Sequence, residues 1–176
     1  MNVLADGADE AGMLQLRQSP LVLAGGNGWL IDGFERELDN LGLRDDVIML
    51  GYVDDQSLQW LYQNCFAFVY PSLFEGFGLP VLEAMSLGAA VITSSATSLP
   101  EIVDSAGLLV DPNEVDELAR AMLKLVRDVG SRLHFRSAAL EQAKLFSWED
   151  ASRDVLRLYS MAQASPKLAE GSPNAS

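Results

Sequence analysis

The sequence predicts an α/β fold, a parallel β-sheet with helices on both faces, and three observations predict it. Short apolar runs such as Leu21–Ala24, Phe66–Tyr70 and Ala89–Ile92 carry no polar alternation, the pattern of strands buried on both faces. Longer stretches between them place apolar residues at helical spacing. The strand runs break at Gly25, Gly51 and Pro71, residues that open turns and loops. Strands that alternate with helices pack most simply as one sheet between two helical layers.

Each element follows in order. Residues 1–20 are acidic at the start and lack a sustained apolar face, so they read as an irregular lead-in, with Met13, Leu14 and Leu16 fitting at most one helical turn. Leu21–Ala24 is a strand that runs into the turn Gly25-Gly26-Asn27-Gly28. Phe34, Leu38 and Leu41 mark a helix over 34–43, and Val47–Leu50 is the next strand. Asp54 or Asp55 caps a helix whose apolar members are Leu58, Leu61 and Tyr62. Phe66–Tyr70 is a strand, Pro80–Leu87 a helix with proline in its first turn and Gly88 past its end. Ala89–Ile92 and Gly107–Val110 are strands. A long helix then begins at 111–114, with Val115, Leu118, Met122, Leu125 and Val129 on one stripe. Helices over 132–146 and 148–162 complete a domain that runs from 21 to 162, and 163–176 reads as a disordered tail.

Composition narrows the function classes. The 25 acidic residues outnumber the 12 basic ones, for a net charge of −13, and no basic cluster offers a face to nucleic acid. No apolar stretch approaches the length of a membrane span, and the acidic N-terminus lacks the basic start of a secretory signal. The chain therefore reads as cytoplasmic. Cys65 is the single cysteine and reads as a small core residue. With no Asp-x-Asp pair and no Cys/His cluster, neither a metal nor any other cofactor is expected. His134, the single histidine, reads as a surface or partly packed side chain.

The stretch Tyr70–Leu87, Y-P-S-L-F-E-G-F-G-L-P-V-L-E-A-M-S-L, is the most informative. A strand ends, two glycines flank Phe77, and a helix begins at Pro80. Gly76 and Gly78 let the backbone turn sharply and approach a ligand closely. The N–H groups around Gly78 and Leu79 lie at the positive end of a helix, a natural place for phosphate or sugar oxygens. Glu75 stands at the loop entrance and Glu83, eight residues on, is expected in the helix's first turn. Two carboxylates beside one glycine loop suit a ligand rich in hydroxyls. Glu83 alone reads as an acid favouring the helix dipole; the two acids, two glycines and proline in this order point to a site.

This stretch resembles the signature of the retaining nucleotide-sugar glycosyltransferases of family 4, with Glu75 and Glu83 at the family's Glu-x7-Glu spacing. The resemblance extends over about 21–159 and takes in L-V-L-A-G-G, R-D-D-V-I-M-L-G-Y-V, S-L-P-E-I-V, G-L-L-V-D-P and F-S-W-E-D. It implies the C-terminal, Rossmann-like half of the two-domain GT-B architecture. It also implies transfer of a hexosyl or mannosyl group from a UDP- or GDP-sugar to an acceptor hydroxyl with retention. A donor phosphate oxygen would then help take the acceptor's proton, in polysaccharide or glycolipid synthesis. By resemblance, Glu75 is the catalytic-side acid at the donor sugar. Backbone groups of Gly76, Phe77, Gly78 and Leu79 hold the sugar and diphosphate, and Glu83 binds the ribose. Tyr52 and Val53 meet the base, and Gly25, Gly26 and Asn27 approach the nucleotide. Glu101 reads as a structural brace.

The family pattern also includes an Arg and a Lys after the domain's first strand, and an acceptor-binding N-terminal domain. Residues 1–20 hold Arg17 and no lysine, so the expectation is a donor-binding half that lacks its partner domain and turns over weakly or not at all alone. The full enzyme is expected at the inner membrane's periphery. Two other readings stand beside it. One is a non-catalytic nucleotide-sugar-binding module, or half of a split enzyme. The other is a nicotinamide-dependent dehydrogenase, which fails because Gly-x-Gly-x-x-Gly read from Gly26 meets Ile31 where glycine is needed.

Overall fold

The computed structural model describes residues 19–26 and 31–164; the expected lead-in up to residue 18 and the tail beyond 164 lie outside the described residues. The sequence reading runs one domain through residue 162, while the internal contacts divide the chain into two compact units after Ala143.

The first unit holds two parallel sheets. Strand β1 (Leu21–Ala24) pairs with β2 (Val47–Gly51), Leu21 opposite Val47 and Leu23 opposite Met49, with an irregularity that sets Ala24 against Gly51. Helix α1 (Ile31–Leu41) makes the crossover, and a short 3-10 turn, Arg44–Asp46, leads into β2. Helix α2 (Asp55–Asn64) follows. Its cap is Asp54, whose Oδ1 accepts the Ser57 N–H at 2.7 Å, satisfying one of the donors a helix start leaves open.

The second sheet orders β3 (Phe68–Tyr70), β4 (Val91–Ser94) and β5 (Leu108–Val110), all parallel with β4 central. Helices α3 (Leu79–Ser86) and α4 (Leu99–Val103) alternate with these strands; α5 (Val115–Arg127) and α6 (Val129–Ala143) follow. Ile92 of β4 packs with Ala90, Val110, Ala121 and Leu125, and with the partly buried Val69, Leu118 and Phe135. Val81, Ala84 and Met85 of α3 and Leu99, Ile102 and Val103 of α4 are fully enclosed. Burying such side chains is the main favourable contribution to folding.

The α/β class with parallel strands is observed, and several details differ from expectation. The sheet is two sheets, not one. Among the described strands only β4 is buried along its whole length; Leu21 and Val22 of β1 and Ile48 and Leu50 of β2 are exposed. An apolar run shows that a strand tolerates burial, but the layers that cover it come from elsewhere in the chain. Strand β4 lies two residues later than Ala89–Ile92 because Thr93 and Ser94 are buried with their hydroxyls satisfied. Thr93 donates to the Tyr70 carbonyl at 2.9 Å, and Ser94 accepts the Ala96 N–H at 3.0 Å. Val115 and Val129 are exposed, not part of the buried stripe, since the helix begins at Val115 and Asp128 separates it from α6. Helix α4 was not expected; its five residues are too few to show a period.

The second unit contains α7 (Trp148–Ala164). Ser147 caps it by accepting the Asp150 N–H at 3.0 Å and donating to Asp150 Oδ2 at 2.8 Å. Among the described residues no helix is long and apolar enough to cross a membrane.

Candidate functional site

The loop from Pro71 to Gly78 leaves the carboxyl end of β3 and enters α3, the edge where open α/β sheets bind ligands. Glu75 is held there from three sides. The Tyr70 hydroxyl donates to Glu75 Oε1 at 2.6 Å. The Glu75 N–H donates to Thr97 Oγ1 at 3.2 Å. The Ser98 hydroxyl reaches two carbonyls, Glu75 at 3.2 Å and Phe77 at 2.9 Å. The Tyr70 hydroxyl is pushed up to about 12, first by its bond to Glu75, then by burial and the Glu75 charge, so it remains a proton donor at neutral pH. Thr97 has φ 58, a left-handed conformation costly for a β-branched residue. That strain sits in the segment that grips the loop.

Gly78 is the N-cap of α3, with φ 105, and its carbonyl accepts the N–H groups of Val81 and Leu82. Gly76 has open space where a side chain would begin; its backbone does not need glycine, in contrast to the expectation that both glycines bend the loop. Phe77 and Leu79 are exposed. Helix α3 begins at Leu79, so its first turn has no acid and Glu83 lies in the second turn, exposed; this corrects the expected first-turn placement. Glu83 lies close enough to act on Tyr62, whose hydroxyl is pushed up to about 12 by burial and then by the Glu83 charge. Tyr62 meets Phe68 edge-on at 5.0 Å, and Phe68 stacks on Tyr70 at 5.8 Å. A row of rings therefore runs between the surroundings of Glu83 and those of Glu75.

A second cluster lies at the carboxyl end of the β1–β2 sheet. The Gly25 N–H donates to the Gly51 carbonyl at 2.8 Å, which joins the Gly25–Gly26 turn to the segment carrying Tyr52 and Val53. Tyr52 is 85% exposed and Val53 half-buried. Asn27 lies outside the described residues. A cavity of about 400 Å³ opens nearby, lined by Leu50, Gln56, Ser57, Trp60 and Leu61.

Sequence reasoning missed Tyr70, Thr97 and Ser98 as partners of Glu75. The hydroxyl-rich run S-S-A-T-S that begins at the last residue of β4 was the available signal, since hydroxyls at a strand's carboxyl end are placed to hold a neighbouring loop.

The family described as Glycosyl transferases group 1 matches residues 11–142. Among curated proteins, the chain is 45% identical over 143 residues to O-antigen chain mannosyltransferase B of Escherichia coli, covering 81% of this chain and 37% of that protein. Among solved structures it matches sucrose-phosphate synthase from Thermosynechococcus elongatus at TM-score 0.72 and 32% identity, covering 88% of this chain and 41% of that one. It also matches HepE of Anabaena, solved in complex with UDP-glucose, at TM-score 0.73 and 25% identity, covering 85% and 44%. The chain thus spans about two fifths of the length of each of these proteins.

Proposed function

The chain belongs to the glycosyl transferases group 1 family, and from that premise we propose that it is the donor-binding half of a retaining glycosyltransferase. In the assembled enzyme a hexosyl group, mannosyl by analogy with the O-antigen relative, passes from a nucleoside diphosphate to an acceptor hydroxyl, in polysaccharide synthesis. The observation that carries this reading is Glu75, braced by Tyr70, Thr97 and Ser98 at the mouth of a glycine loop that opens into α3. Glu75 receives the sugar hydroxyls beside the reacting carbon. Open space at Gly76 admits the donor against the backbone. The N–H groups from Gly76 to Leu79, at the positive end of α3, take phosphate and sugar oxygens. Glu83 takes the ribose, Tyr52 and Val53 the base, and the turn at Gly25 and Gly26 lies along the nucleotide. No metal or other cofactor takes part.

No Lys or Arg occurs between Tyr70 and Gly88. The charge that develops on the leaving diphosphate therefore needs positive groups from outside this loop, and turnover by this chain alone is expected to be weak or nil. A partner that supplies the acceptor half completes the enzyme. Co-purification of such a partner as a separate chain favours the split-enzyme form of this reading.

The test is NMR titration of the chain with UDP, GDP, ADP and NAD in parallel. One nucleoside diphosphate is expected to shift the signals of Gly76–Leu79, Glu83, Tyr52 and Val53, and so to name the base. Shifts confined to NAD would revive the dehydrogenase reading. Glu83→Ala is expected to weaken binding of that diphosphate by roughly 1.5–3 kcal/mol, the range for a charge-assisted contact, while Glu75→Ala leaves it near the parent value. Equal binding by both variants refutes the division of roles.

A further inference from the structure

We propose that Tyr70 is a positioning residue for the donor sugar: its hydroxyl holds the Glu75 carboxylate in one orientation, so that the second oxygen, Oε2, is aimed at a sugar hydroxyl. This rests on the reading of Glu75 as the acid at the sugar. A glutamate on a loop has three side-chain torsions, and an unanchored carboxylate must be ordered when the ligand arrives. Here most of that ordering is already in place. The backbone of residue 75 is fixed at its N–H by Thr97 and at its carbonyl by Ser98. The far end of the side chain is fixed by the 2.6 Å bond from Tyr70 to Oε1. A short hydrogen bond to an ionised acceptor is among the stronger kinds.

Tyr70 can serve as a rigid anchor because its own place is set independently of the loop. Its backbone pairs within the sheet, opposite Thr93, and its carbonyl accepts the Thr93 hydroxyl at 2.9 Å. Its ring stacks on Phe68, which in turn is met edge-on by Tyr62. The hydroxyl stays protonated, its ionisation pushed up to about 12 chiefly by the bond to Glu75. Glu75 thus keeps a donor on Oε1 at neutral pH and retains the lone pairs of Oε2 for a ligand. Tyr70 touches Glu75 and need not touch the sugar.

Two measurements on the full chain test this. The first follows the 13Cζ signal of Tyr70 through pH 9–10.5 in the parent and in Glu75→Gln. The Tyr70 signal should stay that of the neutral phenol in the parent and begin to titrate in Glu75→Gln, moving down toward the ordinary tyrosine value. An unchanged titration means the bond is absent and overturns the proposal.

The second compares binding of UDP with UDP-glucose, and of GDP with GDP-mannose, in the parent, Tyr70→Phe, Glu75→Gln and the double variant. Tyr70→Phe keeps the ring that stacks on Phe68. It should weaken the nucleotide sugar by roughly twofold to tenfold, the cost of ordering one rotamer-rich side chain on binding, and leave the bare diphosphate as in the parent. The double variant should lose no more than Glu75→Gln alone, because both act through one carboxylate. A structural lesion would instead weaken the diphosphate and the sugar alike. If Glu75→Gln weakens the sugar but Tyr70→Phe does not, or the two losses add, the positioning role is overturned and the site stands. If Glu75→Gln itself binds the sugar as the parent does, or no nucleotide binds the parent, the reading of the site fails and the positioning role falls with it.

Discussion

Positions 76 and 78 show two different reasons for a glycine within three residues of chain. At Gly78, φ is 105 and an added Cβ would lie 2.5 Å from Leu99 Cδ2, in the packed interior beside Ile102. Gly78→Ala is therefore expected to destabilise the fold by about 1–3 kcal/mol for the strained backbone, before any cost of moving Leu99, and urea denaturation measures it. At Gly76 an added Cβ meets nothing within 4 Å. Gly76→Ala should leave stability within roughly 0.5 kcal/mol of the parent yet weaken nucleotide-sugar binding, if the donor lies against that backbone as proposed. Equal urea midpoints for the two variants would contradict the distinction. Both glycines are legible in the sequence as a loop; their separate reasons are not, because Leu99 lies on another helix.

Among the elements, helix ends are held partly by near neighbours and partly by distant ones. Asp54 caps α2 from three residues away, and the Ser57 N–H bond holds its carboxyl below the usual range. A carboxylate with a depressed folded pKa contributes stability above its unfolded value and loses it as pH falls through the folded one. Asp54→Ala should therefore lower Tm at pH 7, and the difference should close as pH falls below about 4. A difference in Tm that persists unchanged at pH 2 would exclude the charged cap as its cause. At the other end of α2, Arg136 donates to the carbonyls of Gln63 at 2.8 Å and Cys65 at 3.2 Å. Arg132 does the same for the end of α5, donating to Leu125 at 2.7 Å and Val126 at 3.1 Å, and lies 4.4 Å from the Phe66 ring. Cations at helix C-termini are favourable. The acidic cap could be placed between two residues from sequence; Arg136 could not, since it acts more than 70 residues away.

Across the whole molecule, burial is uneven. Strand β4 is enclosed along its length and sits between two paired neighbours. The large apolar side chains of α7 from Trp148 to Met161 are at least half exposed, in a unit of their own. Local opening requires little free energy where few apolar contacts are lost. Amide hydrogen exchange should therefore be slowest in β4 and fastest in α7 among the helices and strands, and equal protection would mean that the two units unfold together. The β1–β2 pair, exposed on much of its surface, should rank between them.

By itself the sequence determined the alternation of strands and helices, the glycine loop with its two acids, and a likeness to glycosyltransferases that the group 1 family match bears out. These are written locally, in side-chain period, in turn residues and in the fixed spacing from Glu75 to Glu83. Only the tertiary structure decided that the strands form two sheets, that β1 and β2 are left exposed, and that Glu75 is gripped by Tyr70, Thr97 and Ser98. The reason is range: a period or a turn is a property of neighbouring residues. A covering layer, or a hydroxyl arriving from 22 residues away, depends on how separate segments meet.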